Sequence, residues 1–299
     1  MQSLILSNKC ILNDEVVKKP SLKLREDGII KLFVPEPVEP KITPQKLKIN
    51  VVYEDKNLIV IDKEPGIVVH PGAGNKDNTL VNALLSHCKN DLSGIGGVLR
   101  PGVVHRIDKM TSGLLVFAKD DQTHLNLSEQ FKKKNTHREY DLFTWNLVPN
   151  HEGVIEKNIS RSRYNRKKMS VCESNNGKKA TTKYKLLKSF VINDKIKISY
   201  LKCQLLTGRT HQIRVHMSYI GNPLIGDSTY GRNNYYQKLP ESLKNMIFEN
   251  FIKLDRQALH ASFLGFYHPI KKKRLVFESK LPSDLSKMLN KLNNNNILQ

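Results

Sequence analysis

The segment His105-Arg-Ile-Asp-Lys-Met-Thr-Ser-Gly-Leu-Leu-Val-Phe-Ala-Lys119 concentrates the reactive side chains of this sequence. A strand-like Gly102 to Val104 leads into it, the chain turns through Thr111-Ser112-Gly113, and it leaves as the apolar strand Leu114 to Ala118. That spacing predicts Asp108 at a strand-to-turn junction, where a carboxylate can be held still and yet reach a ligand. A lone turn aspartate often only bonds its own backbone. A second cluster of matching character argues for chemistry here: Leu206-Thr-Gly-Arg-Thr-His-Gln-Ile-Arg-Val-His-Met217, a Gly-Arg loop opening a helix with His211 and Arg214 at i, i+3. A guanidinium on a rigid helix can hold a carboxylate ionised and pointed, as nucleophilic or general-base work requires. The plain alternative is a solvated basic helix face.

Other reaction types find little support. His211 and His216 stand i, i+5, on nearly opposite sides of a helix, with no Glu between them as in His-Glu-x-x-His, so no metal is expected. Gly94-Ile-Gly-Gly97 lacks a third glycine at the required offset, and His70-Pro-Gly-Ala-Gly-Asn75 is not followed by Gly-Lys-Ser/Thr. No nucleophile-elbow serine stands out. The chemistry is expected to rest on side chains alone, without a cofactor.

The elements that must position these residues begin near residue 49. Strand candidates are Val51 to Tyr53, Leu58 to Asp62, Leu114 to Ala118, Tyr140 to Leu147, Thr182 to Leu187 and Lys195 to Leu206. A helix is predicted over Asp121 to Lys133, capped by Asp120 or Asp121, with His124, Leu127 and Phe131 on one stripe. A second runs from Thr210, as cap, to Ile220, and Gly221 ends it. Strands outnumber helices and do not alternate with them, so the fold class is α+β on a mixed, largely antiparallel sheet. Before it, Cys10 to Val17 reads as a hairpin turning at Asn13-Asp14, and Gly28 precedes the apolar run Ile29 to Val34. Pro35-Glu-Pro-Val-Glu-Pro40 reads as an extended connection. The domain reading is a small unit over 1–34, a linker over 35–48, a main domain over 49–290 and a frayed tail over 291–299.

Charge narrows the partner. The 299 residues carry 49 Lys+Arg against 28 Asp+Glu, a net charge of +21, which favours polyanions through counterion release. Between Lys157 and Lys188 there are eleven Lys or Arg and one acid, Glu173. With Tyr164 and Tyr184 interleaved, the stretch holding Arg161, Arg163, Lys167 and Lys168 reads as a backbone-tracking RNA surface, joined by Arg209. Apolar runs such as Leu58 to Ile61 are far short of a bilayer span, so no membrane partner is expected. The start carries no recognisable secretory signal, and four scattered cysteines indicate neither a disulfide framework nor a zinc finger. A cytoplasmic monomer is expected.

Taken together, His105-Arg-Ile-Asp-x-x-Thr-Ser-Gly-Leu, Arg138-Glu-Tyr140, Thr207-Gly-Arg-Thr-His-Gln-Ile-Arg-Val-His216, Gly221-x-Pro-x-x-Gly-Asp227 and Arg256-Gln-Ala-Leu-His-Ala261 resemble the RluA-type pseudouridine synthases. The resemblance runs from about Val51 to Leu285. Val68-Val-His-Pro-Gly-Ala-Gly-Asn75 and the Ile159-Ser-Arg161 region are more similar to RluD-type members, which modify large-subunit ribosomal RNA, than to RluC-type members. The resemblance implies a long mixed sheet with a central catalytic cleft and no cofactor. It implies that Asp108 is the essential aspartate, Tyr140 the active-site tyrosine and Arg214 the arginine paired with the aspartate. It also places His105 and Arg106 in the loop that helps displace the target base. Ile11 to Pro20 resembles the later half of an S4-type RNA-binding module whose usual Arg-Leu-Asp-like start is missing, so 1–34 is expected to be a truncated or degenerate S4-like unit.

The implied reaction breaks the glycosidic bond to N1 of uracil, rotates the base and rejoins it through C5, with no change of redox state. A carboxylate can add to the ring or sugar or remove a sugar proton, and both roles stay open at this point. The uracil must first be flipped out of folded RNA, at a cost of a few kcal/mol. Arg106 can fill the vacated space, and Tyr140 can stack on the base with its hydroxyl placed to handle the C5 proton. Alternatives within the class are RluC-type or transfer-RNA specificity. A different class, a non-catalytic ribosome-assembly factor, is opposed by the joint presence of Asp108, Tyr140 and Arg214.

Overall fold

Asn13 and Asp14 both take left-handed backbone angles, φ 47° and 69°, the geometry that closes a two-residue hairpin. That turn joins β1 (Cys10–Leu12) to β2 (Glu15–Val16), and β3 (Ile30–Leu32) pairs with the other edge of β1, in the order β2-β1-β3. With the helix α1 (Gln2–Leu6) these strands form the first of two compact units, Met1–Lys41 and Ile42–Gln299. The computed structural model describes all residues except 1, 25–26, 35–41, 73, 90, 99, 167, 174–175, 232–234 and 295–299. Pro35, Pro37 and Pro40 of the expected linker therefore lie outside the described residues. Its later part is not free chain: Asn82 donates to Thr43 O at 2.8 Å, and Gln45 N–H donates to Asn82 O at 2.9 Å.

The second unit is built on β4 (Asn50–Glu54), β5 (Leu58–Lys63), β6 (Ser112–Ala118), β7 (His137–Trp145), β8 (Glu152–Arg161), β9 (Met169–Cys172), β10 (Lys178–Asn193), β11 (Ile196–Leu205), β12 (Leu259–Tyr267) and β13 (Arg274–Glu278). They form one sheet in the order β4-β5-β6-β12-β7-β11-β10-β8-β9, with β13 also on β12. Among the described residues the β12–β6 pair is parallel and the other pairs are antiparallel, so the sheet is mixed and largely antiparallel. Where β6 meets β12, a Cβ on Gly113 would stand 2.2 Å from Ala261 O, and φ there is +116°, so only glycine fits this crossing.

Period-two alternation sorts the side chains. On one face Ile59, Ile61, Leu115, Phe117, Tyr140, Leu142, Leu201 and Cys203 pack beneath α2 (Leu80–His87) and α4 (Gln212–Tyr219). On the other, Leu58, Val60, Leu114 and Val116 meet Leu127 of α3 (Asp121–Lys132), while Phe143, Trp145, Phe190 and Ile198 meet α5 (Glu241–Ile247) and α6 (Ser283–Asn294). All seven residues of β6 are buried, because helices cover both faces of the sheet at its centre.

Several local expectations are corrected. Gly102 to Val104 is a turn with one isolated bridge, Val103 to Phe117, since Gly102 takes φ +69°. The turn after Asp108 lies at Lys109-Met110, and Ser112 and Gly113 already belong to β6. β10 extends well beyond Thr182 to Leu187, because a register shift between Leu186 and Lys188 breaks the alternation that would reveal its length. The expected tail is helical to Asn294, with Leu285, Met288 and Leu292 buried at i, i+3, i+7; residues 295–299 lie outside the described ones.

Candidate active site

Ile107, buried in the core, and the turn at Lys109 hold Asp108 from both sides. The Lys109 carbonyl accepts two hydrogen bonds, from Lys63 Nζ at 2.9 Å and from Gly66 N–H at 2.9 Å. Lys63 is only 2% exposed and donates also to Glu64 O and Ile67 O, so it clamps the β5 exit to the Asp108 loop. Burial, with the Arg256 charge and against the pull of Asp108, brings the Lys63 amine down to about 7. The backbone next to Asp108 is thus fixed by groups that sequence analysis assigned no role.

Arg214 is the hub of the site. Its Nη1 donates to Asp108 Oδ2 at 2.9 Å, while Nε and Nη2 donate to Asp227 Oδ2 and Oδ1 at 2.7 and 2.9 Å. Asp227 has no exposed side-chain surface and also accepts the N–H groups of Thr229 and Tyr230. Burial alone would lower the Arg214 pKa, but Asp227 and Asp108 outweigh it and hold the guanidinium above its ordinary value. The forked pair with Asp227 leaves Nη1 as the single edge presented to Asp108, which fixes the direction of approach. Sequence analysis places Asp227 in the Gly221-x-Pro-x-x-Gly-Asp227 motif without a role; a lone acid after Leu224-Ile225-Gly226 is the available signal.

His211 also reaches Asp108, with Nε2 3.8 Å from Oδ1. It is the residue before α4, in the left-handed conformation at φ 55°, and the expected Thr210 cap does not form. Tertiary bonds replace the cap: Gln212 Oε1 accepts from Thr207 Oγ1 and Arg209 N, and His211 Nδ1 meets Tyr230 O–H at 2.8 Å. The Tyr230 oxygen also accepts Met169 N–H; in the tautomer where Tyr230 O–H donates to Nδ1, the imidazole hydrogen sits on Nε2, toward Asp108. Burial, against the pull of Asp108, lowers the His211 pKa and keeps the ring neutral near pH 7.

Above Asp108 opens a cleft of about 520 Å³, whose walls include Arg106, Arg138, Tyr140 and Arg209. Tyr140 is buried on β7, and burial pushes its phenol upward, outweighing the nearby Arg138 charge. Arg106 is exposed at the rim, with Nη1 3.1 Å from His70 Nε2, and His70 Nδ1 in turn lies 2.9 Å from Pro71 O. His105, half-buried, lines the same cleft. Its Nε2 accepts Val116 N–H at 3.0 Å, its ring stacks on Phe131, and burial drives its pKa down to about 3, so it anchors the loop to β6.

The other basic residues divide. Arg209 lines the cleft and donates through Nε to Lys179 O. Arg161 and Arg163 are exposed and do not line the cleft, Arg161 donating to Arg166 O, while Lys167 lies outside the described residues. Lys168 is tied down, with Nζ 2.6 Å from Thr229 O, which fastens the basic loop beside the Asp227 turn.

A family model described as RNA pseudouridylate synthase matches residues 57–219. Over 283 residues the chain is 42% identical to "Ribosomal large subunit pseudouridine synthase D" of Zymomonas mobilis, covering 94% of this chain and 85% of that protein. It is 43% identical over 282 residues to an uncharacterised RNA pseudouridine synthase of Aquifex aeolicus, with 94% and 85% covered. Among solved structures, human RNA pseudouridylate synthase domain containing 4 superposes with a TM-score of 0.59 at 25% identity, over 82% of this chain and 93% of that one.

Proposed function

Because this chain belongs to the RNA pseudouridylate synthase family, we propose that it isomerises specific uridines of large-subunit ribosomal RNA to pseudouridine, with Asp108 as the carboxylate that starts the reaction. The observation that carries this reading is the Asp108–Arg214–Asp227 chain at the base of a cleft walled by Arg106, Arg138 and Arg209. An acid facing a polyanion weakens binding by like-charge repulsion, so a mere RNA-binding factor gains nothing from it. The large-subunit target follows the printed name of the Zymomonas relative. The protein acts as a cytoplasmic monomer, without a cofactor, and residues 1–34 serve as an S4-like RNA-binding module.

Arg106, held at the rim by His70, enters the duplex as the uridine swings out. The uracil lies against Tyr140, and Arg214 keeps the Asp108 carboxylate pointed at the nucleotide. The bond from C1′ to N1 breaks, the uracil turns, C1′ joins C5, and the C5 proton leaves. The upward shift of the buried Tyr140 phenol keeps it protonated, so its hydroxyl accepts the C5 proton only while passing its own to water. The test is pseudouridine mapping in ribosomal and transfer RNA from cells lacking the gene, with and without the restored protein. Loss confined to large-subunit RNA is expected; loss in transfer RNA reassigns the substrate, and no loss anywhere overturns the reading.

A further inference from the structure

Four cations are buried among the described residues, and three of them are answered. Arg214 pairs with Asp108 and Asp227, Arg256 with Asp284, and Lys63 with three carbonyls. Arg138 is the exception. It is 7% exposed, forms no ion pair with a carboxylate among the described residues, and its Nε has no hydrogen-bond partner. Among the described residues its guanidinium makes one hydrogen bond, Nη2 to Leu205 O, 3.5 Å long and at the limit for such a bond.

The guanidinium nevertheless has a built seat. Arg138 leaves β7 two residues before Tyr140, so the two side chains share one face of the strand. Its Cζ stands 5.3 Å from the centroid of the Phe131 ring. Next to it runs the backbone of Gly208, where a Cβ would lie 3.0 Å from Nη1. A ring and a bare backbone thus frame a flat slot, and the cation within it lines the same cleft as Asp108, Tyr140 and Arg209. A protein that buries a cation without an internal acid leaves its charge to be met from outside. In a cleft that takes RNA, the anion available is the phosphodiester, whose oxygens match the guanidinium fork.

We propose that Arg138 is a preformed phosphate subsite: it grips the phosphodiester next to the target nucleotide and sets the depth at which the flipped uridine meets Asp108. This rests on the reading of the chain as an RNA isomerase given above. Arg138 is then a positioning residue, since it acts through the backbone of the substrate and does not touch the reacting atoms.

The experiment uses the full chain and a short synthetic RNA around a uridine that the wild type modifies. A single neutral methylphosphonate is placed in turn at each linkage within two nucleotides of that uridine. One linkage is expected to lower kcat/KM of the wild type about 10- to 100-fold, the size of a hydrogen bond to a charged group. R138M should lose a similar factor on natural RNA and nothing further at that linkage, while R138K, which keeps the charge without the fork, should fall between. The thermal midpoint of R138M should hold or rise, because an unpaired buried cation is removed, whereas loss of a merely structural arginine lowers it. A flat scan with the wild type overturns the proposal whether or not R138M folds. So does an R138M enzyme that still loses its full factor at the sensitive linkage. Failure of the wild type to modify any ribosomal RNA is read from the mapping experiment and overturns the functional reading itself.

Discussion

Replacing Asp108 by Asn separates chemistry from folding in this site. The Asp108 side chain is 21% exposed and makes one short ion pair, to Arg214 Nη1 at 2.9 Å, with His211 further off at 3.8 Å. Arg214 does not depend on it, because Nε and Nη2 stay bonded to the buried Asp227. An amide oxygen can still accept from Nη1, so the variant loses one charge-assisted bond in part, about 1 kcal/mol of stability. Turnover loses the group that starts the reaction. A drop of at least about ten-thousandfold is expected, equivalent to about 5.4 kcal/mol of transition-state stabilisation. RNA binding should hold or tighten slightly, since an acid facing phosphate is gone. Tritium release from C5-labelled uridine in a ribosomal RNA transcript reads turnover, urea unfolding reads stability, and filter retention reads binding. Turnover above about one hundredth of wild type, or a stability loss of several kcal/mol, would refute the reasoning by making Asp108 a structural partner of Arg214.

The other variants test the supports of the site. Asp227→Asn strips a buried guanidinium of its main partner, so unfolding should become easier by about 3–5 kcal/mol and turnover should fall with it; wild-type stability in urea would count against the hub. Tyr140→Phe keeps the stacking face and loses the hydroxyl, so RNA binding should persist while single-turnover isomerisation slows; an unchanged rate would remove the proton relay. The Lys63 amine sits near 7 in the folded chain against 10.5 unfolded, so between those values the unfolded chain binds more protons and stability rises with pH. Lys63→Met should flatten that rise when unfolding curves are compared from pH 7 to 10, and parallel slopes would contradict the assignment. Replacing the exposed Arg161, Arg163 and Arg166 by Ala should reduce the slope of log affinity against log salt by about 2, and an unchanged slope would route the RNA elsewhere.

Local pattern was enough to read the sheet class, the hairpin at Asn13-Asp14 and the Asp120-capped helix, where Asp120 accepts from Thr123 N–H at 2.8 Å. It was enough because period two, period 3.6 and capping chemistry act over a few residues. Asp108 and Arg214 were legible as candidates for a related reason: each stands in a short segment whose composition departs from its surroundings. Their meeting at 2.9 Å across 106 residues depends on β12 and β7 lying between β6 and β11, a non-local pairing that alternation cannot specify, since it tells a strand which face to bury and not which neighbour to take. The same order decides what surrounds the pair. Nothing in the residues beside them marks Lys63, Asp227 or Arg138 as buried, and the tertiary structure buries all three. Thr210 is the better cap by propensity, yet the bonds of Gln212 and of the His211–Tyr230 pair displace it. Where a polar group is taken out of water, its partner is chosen by three-dimensional packing and not by the residues beside it in the chain.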